Sequence, residues 1–157
     1  MILIITNKGD IHCNPVIKHL QRNGDKYFRL NTESLLTDYL ISFSYKDQSV
    51  DLHIENKING KTLSSKEVIS VWERRPNSPV LPEINNEKIK LVVEDEANEL
   101  TKWIRHFFIN CRMIGSSVWD RPNESKLRQM DVASRVINEL RSEIKLPQTL
   151  LTNSKKD

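Results

Sequence analysis

Ile2-Leu3-Ile4-Ile5-Thr6 opens the sequence and is rich in apolar, β-branched side chains. A run of this kind, without regular polar alternation, is typical of a strand that is buried on both faces. Such strands belong to parallel sheets, because helices cover both faces of these sheets. The stretch therefore predicts an α/β protein whose first strand lies inside a parallel sheet.

The residues after this strand predict a helix and a second parallel strand. Apolar side chains recur at helical spacing between about residues 14 and 23, and Asn23-Gly24 supplies a C-terminal stop. An extended stretch from about residue 26 to residue 30 follows. Strand, helix and strand within this length predict a right-handed crossover unit with both strands in one sheet.

The middle of the chain has a different pattern. Residues 40–58 alternate largely between apolar and polar side chains, and Asn59-Gly60 is a hairpin-turn sequence. Residues 68–72 then return to the pattern of a buried strand. We therefore expect an open, mainly parallel α/β sheet with flanking helices and a small antiparallel hairpin excursion.

Two further helices are predicted in the second half of the chain. Apolar residues recur every three or four positions from Glu87 to about Asn110, which indicates an amphipathic helix. The stripe expected to face the core contains Ile89, Val93, Ala97, Leu100, Ile104 and Phe107, whereas Lys102 and Arg105 are placed on the polar face. Short strands near residues 113–117 and 148–153 flank another helix, which starts after Pro122-Asn123-Glu124.

Composition and charge exclude several classes of protein. The 157 residues include 24 Lys and Arg and 21 Asp and Glu, and the basic residues are scattered. Nucleic acid is therefore not the expected partner, because its binding proteins concentrate Lys and Arg on one face. No apolar stretch suits a signal peptide or a membrane span. Cys13 and Cys111 lie far apart without metal-type spacing, which is typical of reduced thiols in a cytoplasmic protein.

The carboxyl ends of the predicted parallel strands mark the candidate site. In open α/β sheets these ends share one edge, and ligands bind there. The segments that reach it are residues 6–10, 31–32, 73–75 and 119–121. Four cations on these segments could face an acidic partner: Lys8, Arg74, Arg75 and Arg121.

Two motifs at this edge each have a functional and a structural interpretation. Adjacent Arg74 and Arg75 could hold a carboxylate or phosphate through the two-pronged guanidinium group. They could equally form an ion pair with Glu73 or with a helix acid. Asn7-Lys8-Gly9-Asp10 resembles a short phosphate-binding loop before a helix, but an ordinary strand-to-helix turn also explains it.

Several segments together resemble the ATP-grasp enzymes that mature ribosomally made peptides. The similarity is to the N-terminal, pre-ATP-grasp domain of graspetide or microviridin-type ligases, and it extends along nearly the whole chain. The matching segments are residues 4–10, 28–32 and the distinctive Val71-Trp72-Glu73-Arg74-Arg75-Pro76. Residues 125–130 and 146–153 resemble the lead-in to an ATP-grasp domain, and are also similar to ribosomal-protein glutamate ligases.

The resemblance implies a domain division and a chemistry. Residues 1–120 would form the pre-ATP-grasp domain, and residues 121–157 the lead-in helix and first strand of an ATP-grasp domain. The full-length enzyme would use ATP and Mg²⁺ to phosphorylate acidic side chains of a precursor peptide, and a hydroxyl or amine would then form a side-chain ester or amide. Lys126 matches the first nucleotide-contacting lysine of the family, and Arg74 and Arg75 are the candidate substrate contacts.

The resemblance implies that the later nucleotide-clamping lysine and the Asp, Glu and Asn metal ligands of the family would lie beyond Asp157. We therefore expect no catalytic residue or metal ligand in this chain, no tight nucleotide binding and no activity of the chain alone; a homodimer is compatible with this interpretation. The alternative is a stand-alone α/β module that binds or regulates by recognising an acidic peptide or a small anion.

Overall fold

A computed structural model describes residues 1–46, 49–115, 126–139, 146 and 148–152. These residues form two compact units. The first combines residues 1–39 with the described part of 67–119, and the second combines residues 40–66 with the described part of 120–157. The described residues contain two four-stranded sheets, and each is described by itself below.

The helices and strands follow the order that the sequence predicts, with ends that differ by a few residues. Along the chain they are β1 (Ile2–Thr6), α1 (Cys13–Arg22), β2 (Tyr27–Asn31), β3 (Tyr39–Lys46), β4 (Ser49–Asn56), β5 (Thr62–Ser64), β6 (Ser70–Glu73), α2 (Glu87–Phe107), β7 (Arg112–Ile114), α3 (Lys126–Glu139) and β8 (Thr149–Thr152). The predicted α/β class is confirmed: one sheet is parallel, and the predicted antiparallel strands belong to a second sheet.

β1 lies inside the parallel sheet, whose strand order is β2-β1-β6-β7. It pairs in parallel with β2 on one side and with β6 on the other, and β6 pairs in parallel with β7. Leu3, Ile4 and Ile5 are almost completely buried. This arrangement explains the uninterrupted apolar sequence of β1, because a central parallel strand is covered on both faces.

The second sheet has the order β5-β4-β3-β8. β4 pairs with β5 and β3 pairs with β8, both antiparallel. Buried and half-exposed residues alternate along β3, which is the expected pattern for an antiparallel strand with one covered face. Gly60, in the connection between β4 and β5, has a positive φ of 68°, a conformation that glycine adopts without steric cost.

α2 begins where the sequence predicts, because the Asn86 side chain accepts hydrogen bonds from the backbone N–H groups of Lys88 and Ile89. Its second half is buried through Ala97, Trp103 and Ile104. The predicted apolar stripe is wrong in the first half, where the side chain of Ile89 is exposed. Helical periodicity shows which residues share a face, but it does not show how far along the helix that face is covered.

None of the described helices combines the length and the apolarity that a membrane span requires.

Candidate functional site

The candidate site lies at the carboxyl ends of β1 and β6. From β1 the chain passes through α1 to β2 on one side of the sheet, whereas β6 lies on the other side of β1. The strand order therefore changes direction between β1 and β6. A crevice opens outside the carboxyl ends of the strands at such a point, and ligands of α/β proteins bind there.

Asn7 joins the two loops that leave these strands. Its Nδ2 donates a hydrogen bond to the backbone carbonyl of Arg75, and its own carbonyl accepts one from Nη2 of Arg29 at 2.7 Å. Arg75 has a φ of +46°, which places a bulky residue in the left-handed region. Backbone strain of this kind costs about 1–3 kcal/mol and is common at binding sites.

Arg74 points to Asp10 instead of joining Arg75. Its Nε lies 3.0 Å from Oδ2 of Asp10, a close ion pair whose alignment does not meet hydrogen-bond geometry. Asp10 is almost completely buried. The predicted carboxylate partner of the arginine pair therefore exists, but it is Asp10 and not Glu73 or a helix acid. Capture of a ligand by Arg74 would compete with this ion pair.

Asp10 also fixes the start of α1. Its side chain accepts hydrogen bonds from the His12 N–H at 3.1 Å, from Thr6 Oγ1 at 3.1 Å and from Cys13 Sγ at 3.3 Å. Burial alone would raise the pKa of Asp10, but these hydrogen bonds and the charge of Arg74 outweigh it and hold the pKa below its ordinary value.

The loop that contains Lys8 forms a turn in which several polar groups already have partners. The backbone N–H of Lys8 donates to Oε1 of Glu33, and the N–H of Asp10 donates to the carbonyl of Asn7 at 3.2 Å. Lys8 Nζ forms an ion pair with Asp38 at 2.8 Å. These contacts favour the ordinary strand-to-helix turn over the phosphate-binding loop.

A cavity of about 520 Å³ lies beside the loop that follows β6. One wall consists of Glu73 and residues 75–79, and the other is formed by α2 residues that include Thr101, Lys102 and Arg105. This volume is within the usual range of small-ligand sites. Arg75 is thus the predicted substrate contact that the structure brings to a cavity.

A buried ion pair lies in the wall of this cavity. Arg105 Nη2 is 3.3 Å from Oε1 of Glu73, and the two side chains are 8% and 2% exposed. Burial raises the pKa of Glu73, and Arg105 partly opposes the shift; burial likewise lowers the pKa of Arg105. The sequence-based placement of Arg105 on the solvent face of α2 is therefore wrong.

The burial of Arg105 follows from the position of Glu73. Glu73 ends β6 with its side chain turned into the protein, and a buried carboxylate requires a cation nearby. Glu73 in an otherwise uncharged strand was the available indication that a distant Arg or Lys would be buried. The sequence could not show which basic residue would be its partner.

Other predicted site residues lie outside the part of the chain that the structure describes. They are Trp119, Asp120 and Arg121. Lys126 begins α3, but its side chain is also outside the described part. Tryptophan side chains can stack on nucleic-acid bases, but Trp103 is buried in the core and Trp72 is half-buried. This burial favours packing as the role of Trp103.

No group of three or more His, Cys, Asp or Glu side chains that could hold a metal ion occurs among the described residues. The candidate site is instead a cavity with basic walls at the edge of a parallel sheet, which can bind an anionic group.

A protein-family model described as "MvdD pre-ATP grasp domain" matches residues 1–113, which is more than two thirds of the chain. The chain belongs to this family of pre-ATP-grasp domains. The resemblance inferred from the sequence is thereby confirmed. Both the Asn7 loop and the Arg75 loop lie inside the matched pre-ATP-grasp segment, as does most of the cavity wall.

Solved structures that are similar to this pre-ATP-grasp chain include the following three. Macrocyclase MdnC from Microcystis aeruginosa MRC, bound with precursor peptide MdnA, matches 66% of the chain with 26% identity and a TM-score of 0.56. Macrocyclase MdnB from the same organism matches 96% with 17% identity and a TM-score of 0.67. A Chryseobacterium gregarium RiPP-associated ATP-grasp ligase, in complex with ADP and a leader and core peptide, matches 86% with 22% identity and a TM-score of 0.64.

The matched regions are only part of these proteins. The alignments cover 33% of MdnC, 59% of MdnB and 40% of the C. gregarium ligase. MdnB and the C. gregarium ligase are less than 25% identical to the chain, and their similarity supports the fold of the pre-ATP-grasp domain. No curated protein sequence gives a significant match.

Proposed function

We propose that this chain is the N-terminal part of an ATP-dependent carboxylate ligase that forms ester or amide cross-links between side chains of a ribosomally made precursor peptide. Membership of the pre-ATP-grasp family supports this assignment, as does the likeness to a macrocyclase bound with a precursor peptide. In this proposal residues 1–120 provide one side of the substrate cleft. Residues 121–157 lead into the ATP-grasp domain, and Lys126 contacts the nucleotide.

The position of Arg75 is the main observation that supports the proposal. Its side chain is exposed at the point where the strand order changes direction, and it lines the cavity. Arg74, Lys102 and Arg105 each have an acidic partner, whereas no ion pair of Arg75 occurs among the described residues. A cation in this position is suited to hold a carboxylate of an acidic peptide.

The residues of this chain would position the peptide and would not transfer groups themselves. Arg75 binds a side-chain carboxylate, and Asn7 holds the Arg75 backbone so that the guanidinium group stays at the edge of the sheet. ATP, bound by the full-length enzyme with Mg²⁺, supplies the phosphoryl group that activates the carboxylate. Holding the acid in one place lowers the entropic part of the barrier to its reaction.

Peptide binding by the chain tests the role of Arg75. The probe is a fluorescent ten-residue peptide that contains four Glu residues, and the comparison peptide has Gln in their place. We expect anisotropy to show binding of the Glu peptide, and Arg75→Ala to weaken it about ten-fold, since a charge-assisted hydrogen bond contributes about 1.5–3 kcal/mol. Lys90→Ala removes an exposed cation elsewhere and should change little. Equal binding of both peptides would contradict the proposed role.

Ligation is tested with the whole gene product and short acidic peptides encoded beside it. Each cross-link removes one water, so mass spectrometry should show the loss of that mass in the presence of ATP and Mg²⁺. Lys126→Ala should raise the KM for ATP. A product of unchanged mass, together with saturable peptide binding, would favour the alternative of a stand-alone binding module.

A further inference from the structure

The loop after β6 crosses the carboxyl ends of β1 and β2, and we call its residues 75–80 the strap. At one end of the strap, the carbonyl of Arg75 accepts a hydrogen bond from the side chain of Asn7, which directly follows β1. At the other end, the N–H of Val80 donates to the carbonyl of Glu33, beyond the end of β2, at 2.8 Å. The strap is therefore hydrogen-bonded to the residues that follow both strands.

Thr32 attaches the strap between these two ends. Its Oγ1 accepts a hydrogen bond from the Asn77 N–H at 2.9 Å, and it lies 2.6 Å from the Asn77 carbonyl oxygen and 3.2 Å from that of Thr6. A hydroxyl has one proton to donate, and the shorter distance favours the Asn77 carbonyl. Thr32 is 1% exposed. Its side chain therefore holds the backbone of the strap but cannot itself contact a ligand.

Two prolines restrict the conformation of the strap. Pro76 and Pro79 lie between the attached residues Arg75, Asn77 and Val80. Each proline fixes its own φ and has no N–H group that needs a partner. Because residues 75–79 also line the cavity, the position of Arg75 and the shape of this wall depend on the attachment of the strap.

We propose that Thr32 is a positioning residue, which keeps the strap, and with it Arg75, in the binding conformation before a ligand arrives. A strap without this attachment would have more conformational freedom, and a ligand would have to order it on binding, which lowers the affinity. The ligand, an acidic peptide, comes from the proposed function, on which this inference rests. The attachment of the strap can be measured without a ligand.

Hydrogen exchange of the free, ¹⁵N-labelled chain measures this attachment. In the wild type, we expect the amides of Asn77 and Val80 to be protected before any peptide is added. Thr32→Val removes the hydroxyl at similar volume and should raise both exchange rates at least about ten-fold, while the Ile4 amide inside β1 keeps its rate. Thr32→Ser retains the hydroxyl and should retain slow exchange.

The fluorescent peptide with four Glu residues tests the consequence for binding. We expect Thr32→Val to weaken the complex about ten-fold, and Thr32→Ser to bind within about two-fold of the wild type. Thr37→Val is the matched control, because the Thr37 hydroxyl contacts Ser34 and Asp38, which lie outside the strap. This control should bind the peptide as the wild type does.

Three results would overturn the inference: rapid exchange of the Asn77 and Val80 amides in the free wild type, wild-type exchange or affinity in folded Thr32→Val, or equal weakening by Thr32→Val and Thr32→Ser. If Thr32→Val does not give the native amide spectrum, Asn77→Pro replaces it, since it removes, at an exposed position, the N–H that donates to Thr32. Unchanged Val80 exchange and peptide affinity in that variant would equally overturn the inference.

Failure of the wild type to bind the Glu peptide would instead contradict the proposed function. The exchange rates would then still decide whether Thr32 holds the strap.

Discussion

Gly115 shows how a single residue fixes the edge of the cavity. It follows β7 with a φ of +78°, and a Cβ on it would overlap with the backbone carbonyl oxygen of Glu73. Gly60 has a similar φ of +68°, but it has open space around it. The two glycines therefore separate the effect of backbone conformation from the effect of crowding.

Gly115→Ala is expected to lower the free energy of unfolding by at least about 3 kcal/mol, since it combines left-handed backbone strain with a clash. Gly60→Ala should cost only about 1 kcal/mol, because it introduces the strain alone. Urea denaturation at equal temperature measures both values. Equal losses of unfolding free energy in the two variants would show that the close approach of Gly115 to Glu73 does not affect stability.

Arg75 should show a conflict between stability and binding. Arg75→Gly relieves the left-handed strain but gives the unfolded chain more freedom, so we expect the free energy of unfolding to stay the same or rise by up to about 1 kcal/mol. Binding of the acidic peptide should nevertheless fall about ten-fold, as for Arg75→Ala. A large loss of stability in Arg75→Gly would mean that the arginine side chain serves the fold and not a ligand.

The candidate site could be predicted from the sequence only in part. Arg74 and Arg75 follow a recognisable strand, so their place at the sheet edge was accessible from the pattern alone. Their different roles could not be predicted from the pattern, because the partner of Arg74 is Asp10, which lies more than sixty residues away in the sequence. The burial of Arg105 depends on a similar long-range contact with Glu73. Local periodicity contains no information about such pairs.

Among the helices and strands, α2 illustrates both what periodicity predicts and what it leaves open. Its start, its length and the burial of Ala97 and Ile104 agree with the sequence pattern. The exposure of the first turns of α2 does not agree with the pattern, because residues distant in sequence decide which part of a helix is covered. We expect Ile104→Ala to lower the free energy of unfolding by about 3 kcal/mol, and Ile89→Ala to lower it by less than about 0.5 kcal/mol. Comparable losses in urea denaturation would show that both halves of α2 are covered.

The start of α1 should make stability depend on pH in the acid range. The pKa of Asp10 in the folded protein lies below its ordinary value of 3.8. The ionised Asp10 carboxylate therefore contributes its full share to the free energy of unfolding above about pH 3.8. This contribution is lost as the pH falls through the lower pKa of the folded state. Asp10→Asn should lower the free energy of unfolding by about 2 kcal/mol at neutral pH, and the difference from wild type should shrink below about pH 3.8. A difference that is constant with pH would contradict this assignment.

For the whole molecule, the two units raise the question of where nucleotide chemistry takes place. No cluster of acidic, His or Cys side chains suited to a metal ion occurs in the described part of either unit. We expect the purified 157-residue chain to bind the acidic peptide without releasing phosphate from ATP above background. ATP-dependent modification of a peptide by this chain alone would contradict our proposal that the chain binds the peptide without catalysing the reaction.

Cys13 provides an internal reporter for the opening of the parallel sheet. Its side chain is completely buried beside Asp10, and burial raises the pKa of its thiol, so the folded protein shields it from alkylation. Cys111 is partly accessible. Pulses of iodoacetamide should therefore modify Cys111 first, and the delay of Cys13 would measure how often α1 separates from the sheet. Ligands that stabilise the first unit should lengthen that delay.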